Sequence, residues 1–178
     1  MINETKRYSY NDLKEIELNQ APSLDLEGLQ VDNLLMPKDG TRYMLFLTSV
    51  NNDGITNVIC PFCKKKTNVV RNGLGEKRLV HDVIRNNHRV DIGILPQRYR
   101  CTECNQRFTP PISGIVEGRQ MTERLYEYLK REVFLQPLSD LADNCGFSVS
   151  TIEKILDEES ALYEQKRIED IVSQRLFI

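Results

Sequence analysis

The chain has no apolar run long enough to span a bilayer, and its opening residues, MINETKRYSY, form no apolar leader. Histidine is scarce, at two in 178 residues, and the cysteines number five, an odd count. The missing span and leader predict a soluble, cytoplasmic protein with no membrane partner. In that compartment thiols stay reduced, so cysteines close together in sequence serve as metal ligands or catalysts more often than as disulfides.

Two such pairs are present. Cys60 and Cys63 lie in CPFCKKKTNVV, Cys101 and Cys104 lie in RYRCTECNQRFTP, and 37 residues separate the pairs. A single pair could be a thioredoxin-like redox motif, but that motif needs a βαβ setting that is not apparent here. Two pairs supply the four ligands of a closed tetrahedral site, because a two-residue gap lets both sulfurs of a tight turn face one ion. One structural Zn²⁺ per chain is therefore the predicted cofactor. Turns of this kind often need a left-handed residue just after the second cysteine; Asn105 tolerates that conformation and Lys64 is a poorer fit. Four thiolates leave zinc no open position for water, which argues against a metalloenzyme. They also leave His81 and His88 to the surface or to a phosphate rather than to the metal.

The stretch between the pairs reads as strands and turns. TNVVRNGLGEKRLVHDVI places β-branched residues on both sides of an Asn72-Gly73 turn signal, and HRVDIGILPQRYRC alternates through Val90, Ile92 and Ile94 before Pro96. This predicts a zinc ribbon, a module too small to fold on apolar burial alone, so the metal supplies much of its folding energy. Residues 60–119 carry 12 basic and 5 acidic side chains, against balances of −4 before them and −5 after them. A basic island on an acidic chain predicts a polyanion partner at that place. Its candidate contacts are Lys64, Lys65, Lys66, Arg71, Lys77, Arg78, Arg85, Arg89, Arg98, Arg100 and Arg107.

The flanks differ in texture. LEGLQVDNLLMPKDGTRYMLFLTSV holds two apolar runs around a Pro-Lys-Asp-Gly turn and predicts a hairpin behind a short polar lead. After FTPPISGIVEGRQ, Thr122 can cap a helix with Leu125, Tyr128, Leu129 and Val133 on one face. Pro137 then opens PLSDLADNCGFSVSTIEKILDE, which has helix-turn-helix spacing. Leu141 and Ala142 face the partner helix, Gly146 supplies the turn, Ser148 caps the second helix, and Ile152 and Ile155 return to the core. Cys145 falls on the apolar face as a buried structural thiol. A groove-reading second helix enters by its N-terminal residues, here Ser150, Thr151 and Lys154, although acidic residues follow them. Beyond it the apolar face turns by roughly 150° at 100° per residue. Either the helix breaks near Gln165 or its last part packs on something else, a second copy or a further domain.

The order of parts resembles the N-terminal half of insertion-sequence transposases of the ISL-three family, over about residues 24–160. The matching stretches are LEGLQV, CPFC, a basic insert with VHDV, QRYRCTECNQRFTP and LADNCGFSVSTIEKIL. The resemblance implies a zinc ribbon and helix-turn-helix that bind double-stranded DNA at the transposon's terminal repeats. It also implies a following RNase-H-like domain with three carboxylates, which has no counterpart in this sequence, so no catalysis is expected of this chain. A stand-alone zinc-dependent transcription regulator on an operator-like site, or a protein-interaction module with acidic docking helices, shares the same features. The expected fold is α+β, in four parts: residues 1–59 lead and hairpin, 60–119 zinc ribbon, 120–160 helix-turn-helix, and 161–178 helical tail. The expected location is cytoplasmic, on the nucleoid.

Overall fold

A computed structural model of the chain describes residues 9–18, 23–50, 58–65 and 69–175. It is an α+β fold with two sheets and three helices among the described residues. Two compact units divide it, residues 7–124 and a helical unit from residue 125 onward.

The larger sheet is built from β1 (Leu13–Ile16), β2 (Leu29–Pro37), β3 (Tyr43–Val50), β5 (Arg78–Arg85) and β6 (His88–Leu95), in the order β1-β2-β3-β6-β5. The predicted hairpin forms as β2 and β3, with Gly40 at φ 77° in its turn. The polar lead contributes an unpredicted strand: β1 pairs antiparallel with β2 and buries Leu13. Pairing of β3 with β6 is parallel and brings Phe46 opposite Ile92. One face is the core, where Leu34, Met44, Phe46, Val80, Val90, Ile92 and Ile94 meet Leu24. Fully burying a side chain of this kind is worth about 1.5–3 kcal/mol.

The smaller sheet is β4 (Val69–Leu74), β7 (Gln97–Cys101) and β8 (Arg107–Phe108), in the order β4-β7-β8. The residues between the cysteine pairs are thus shared by two sheets, where the sequence pattern predicts one module. The cause is the alternation itself: Val80, Val90, Ile92 and Ile94 need an apolar face, and the β2–β3 hairpin provides a larger one than the cysteine turns. The predicted turn at Asn72-Gly73 is a bulge inside β4, where the register shifts between Arg71 and Leu74 and Gly73 takes φ 74°. The hairpin turn falls instead at Asn86 and Asn87, with φ of 47° and 61°, between the paired Arg85 and His88. Two successive left-handed residues match the twist of the strands, and asparagine tolerates that conformation.

Residues 114–124 are held against β5. The His81 N–H donates to the Gln120 carbonyl at 2.9 Å, and the Thr122 N–H donates to the His81 carbonyl at 3.0 Å. The Thr122 hydroxyl, predicted as a helix cap, donates to Asp82 at 2.7 Å. Arg124 forks onto the same carboxylate, with Nε at 2.6 Å and Nη2 on the second oxygen. His81 is buried against Asp91, with Nδ1 at 2.6 Å from Oδ1, which corrects its expected surface role. His88 is half-buried, its Nδ1 2.9 Å from the Asn86 carbonyl.

The helices are α1 (Glu123–Glu132), α2 (Leu138–Cys145) and α3 (Val149–Arg175). Leu125, Leu129 and Val133 are buried, as are Leu141, Ala142 and Cys145 of α2 and Ile152 and Ile155 of α3; Tyr128 is half-buried. Gly146 ends α2 at φ 77° and its N–H donates to the Ala142 carbonyl at 2.9 Å. There is no break at Gln165, because α3 runs unbroken for 27 residues. Local pairs support its far half, Arg167 with Glu164 at 2.7 Å and Gln165 with Glu169 at 3.0 Å. Leu162, from the first expected face, and Ile168 and Ile171, from the turned one, are all exposed there.

Candidate metal centre

The second cysteine turn is the β7–β8 connection, and the first precedes β4, which pairs with β7 so that Val69 lies opposite Cys101. The two turns have one geometry. The Cys60 N–H donates to the Lys65 carbonyl at 3.1 Å, and the Cys101 N–H donates to the Gln106 carbonyl at 2.9 Å. Lys64 and Asn105 take the left-handed conformation at equivalent positions, φ 59° and 57°. Lys64 does so although lysine is the less suited residue, because closing the turn onto Cys60 requires it.

These turns converge their sulfurs. Cys60 Sγ lies 3.6 Å from Cys104 Sγ, Cys63 Sγ lies 3.5 Å from Cys101 Sγ, and all four lie within 4.8 Å of one another. Cys60 and Cys101 are buried and the other two half-buried. The group can hold a metal ion. Burial pushes the Cys60 thiol up, but the backbone N–H groups of Cys63 and Phe62 and the neighbouring thiols outweigh it and bring it down to about 7. Cys104 receives a lowering contact from the Gln106 backbone, yet burial and the other three thiols push it up to about 12. Crowded thiols cannot all ionise by themselves. A divalent cation lets them do so, with release of protons.

The basic residues separate into two groups. Lys65 pairs with Glu103 at 3.1 Å across the cysteine turns. Arg85 donates to the Ser23 and Leu24 carbonyls and lies 3.7 Å from Asp82, and Arg89 pairs with Asp91 at 3.2 Å beneath the Tyr43 ring. These two arginines are engaged within the protein. Lys64, Arg71, Lys77, Arg78, Arg98, Arg100 and Arg107 are exposed, and none has an ion pair among the described residues. Lys66 lies outside the described residues.

On β7, burial alternates strictly from Gln97 to Cys101, so Arg98 and Arg100 share the exposed face. The register sets Arg107 opposite Arg100, while Tyr99 and Phe108 stack on the reverse face at 6.2 Å. At the start of α3, Ser150 and Lys154 are exposed and Thr151 is half-buried. The hydroxyls of Ser150 and Thr151 each lie 2.9 Å from that of Ser148. Sequence reasoning did not single out Glu103, Arg124 or the His81–Asp91 pair. The period-2 pattern that puts Arg89 and Asp91 on one face of β6 was the available signal. Comparison with protein-family models, curated proteins and solved structures returned no match.

Proposed function

We propose that the chain binds double-stranded DNA through a zinc-held ribbon, as the resemblance to the end-binding region of ISL-three transposases implies. The observation that carries this reading is the set of exposed cations with no ion pair among the described residues, Lys64, Arg71, Arg98, Arg100 and Arg107 on the cysteine turns and the smaller sheet, and Lys77 and Arg78 at the start of β5. Elsewhere the same stretch pairs its cations with carboxylates, so these remain for an external polyanion. Zinc suits the thiol geometry. A tetrahedron with Zn–S near 2.3 Å has S···S edges of about 3.8 Å, and the 3.5 and 3.6 Å separations need only small adjustment to reach it. Four sulfurs and two closed turns give the ion a structural role.

The α2–Gly146–α3 unit is read as a helix-turn-helix that adds sequence choice through Ser150, Thr151 and Lys154. Its acidic residues Asp157 and Glu158, exposed on α3, favour a second reading in which this face docks a protein. Duplex titrations at several salt concentrations test the first reading. Each phosphate contact contributes about −0.9 to the log–log salt slope, so replacing Lys64, Arg71, Lys77 and Arg78 by Gln lowers its magnitude by about 3–4. A slope that does not change, or no salt-dependent binding by the native protein, moves the docking reading ahead.

A further inference from the structure

We propose that Arg98, Arg100 and Arg107 read guanines in the major groove, so that the smaller sheet supplies base recognition as well as charge. This rests on the DNA-binding reading above. From Cys60 to Phe108 the described cations in turns and loops are lysines (Lys64, Lys65, Lys77), and those on strands are arginines. A lysine meets a phosphate as a mobile point charge. Arginine carries a planar fork that matches guanine O6 and N7 when its backbone holds it at a fixed height.

The strands supply that height. Arg98 and Arg100 stand two residues apart on the exposed face of β7, a rise of about 6.8 Å. Two steps along one DNA strand also rise about 6.8 Å, at 3.4 Å each. Arg107 stands directly opposite Arg100 on the edge strand β8, and none of the three has an ion pair among the described residues. Like charges placed directly opposite destabilise a sheet, so the arrangement is explained by an acceptor outside the protein. The major groove admits a two-stranded β ribbon.

The zinc-loaded 178-residue chain selects from a pool of duplexes with a randomised core, and the enriched duplexes are expected to carry guanine. Exchanging those guanines for 7-deazaguanine removes N7 and leaves every phosphate in place. Affinity of the native protein should fall about 5- to 150-fold for each guanine that an arginine reads, with the salt slope unchanged. The triple variant Arg98→Lys, Arg100→Lys, Arg107→Lys keeps its charge and its salt slope but loses the guanine preference. Equal affinity for the 7-deaza duplex, retained preference in the lysine variant, or tighter binding of the isolated single strand overturns the proposal. The first two outcomes leave the phosphate-binding reading standing. Absence of any salt-dependent duplex binding removes both.

Discussion

Asp91 accepts from the Tyr43 hydroxyl at 3.0 Å and meets His81 Nδ1 and Arg89 Nη2 at 2.6 and 3.2 Å. Burial pushes its carboxyl up, but His81, Arg89 and Tyr43 together outweigh that and hold it below the ordinary carboxylate range. A carboxylate depressed in the folded state stabilises fully above its unfolded value, about 3.9, and that stabilisation is lost as pH falls through the folded value. Urea midpoints of the strand-bearing unit should therefore decline below about pH 4. Asp91→Asn should cost about 1–3 kcal/mol at neutral pH, because half-buried Arg89 loses its counter-charge. The same variant should flatten part of the acid decline. An unchanged decline in Asp91→Asn would assign it to other carboxylates.

Among the elements, the α2–α3 connection depends most visibly on one residue. Gly146 stands at φ 77°, where its N–H and that of Phe147 both reach the Ala142 carbonyl, at 2.9 and 3.0 Å. A Cβ at that conformation costs about 1–2 kcal/mol. Gly146→Ala should lower the unfolding free energy read from the urea transition of the helical far-UV signal by that amount and leave metal content untouched. A neutral effect would mean the turn relaxes to another shape. The far half of α3 behaves differently: its residues from Ser160 to Ile171 are exposed, so its helicity rests on local pairs such as Glu164 with Arg167.

For the whole molecule, basic charge and the four-thiol site fall in the same stretch of the chain. The net charge is −2, yet residues 60–119 hold 12 basic against 5 acidic side chains, so attraction to a polyanion is local. Three short strands bury little apolar surface, and the cysteine turns close one end of their sheet. Removing the metal should loosen β4, β7 and β8 while the helical signal of residues 123–175 largely persists. Metal analysis and far-UV spectra before and after chelation check this. Cys101→Ser should lose the metal, and Cys145→Ser, whose thiol is buried beside Leu141 and Ala142 in α2, should keep it. Retention of a full equivalent by Cys101→Ser would remove the four-thiol site from consideration.

Local chemistry was legible in the sequence. Two cysteine pairs with two-residue gaps dictate two tight turns, Gly146 dictates where α2 ends, and the spacing of Leu141, Ala142, Cys145, Ile152 and Ile155 dictates one buried face. Each of these depends on neighbours within a few residues, where backbone sterics and side-chain period decide. Tertiary structure decided the rest. Alternation in β5 and β6 declares which side is apolar but not which sheet will cover it, and Asn72-Gly73 can close a hairpin with both residues left-handed or sit in a bulge where Gly73 alone is so. The twelve cations of residues 60–119 look alike in sequence; only the folded register turns Arg85 and Arg89 onto buried carboxylates and leaves Arg98, Arg100 and Arg107 on an open face. The carboxylates are local, Asp82 three residues from Arg85 and Asp91 two from Arg89; their burial is not, because the strands and the Arg124 fork that cover them come from elsewhere in the chain.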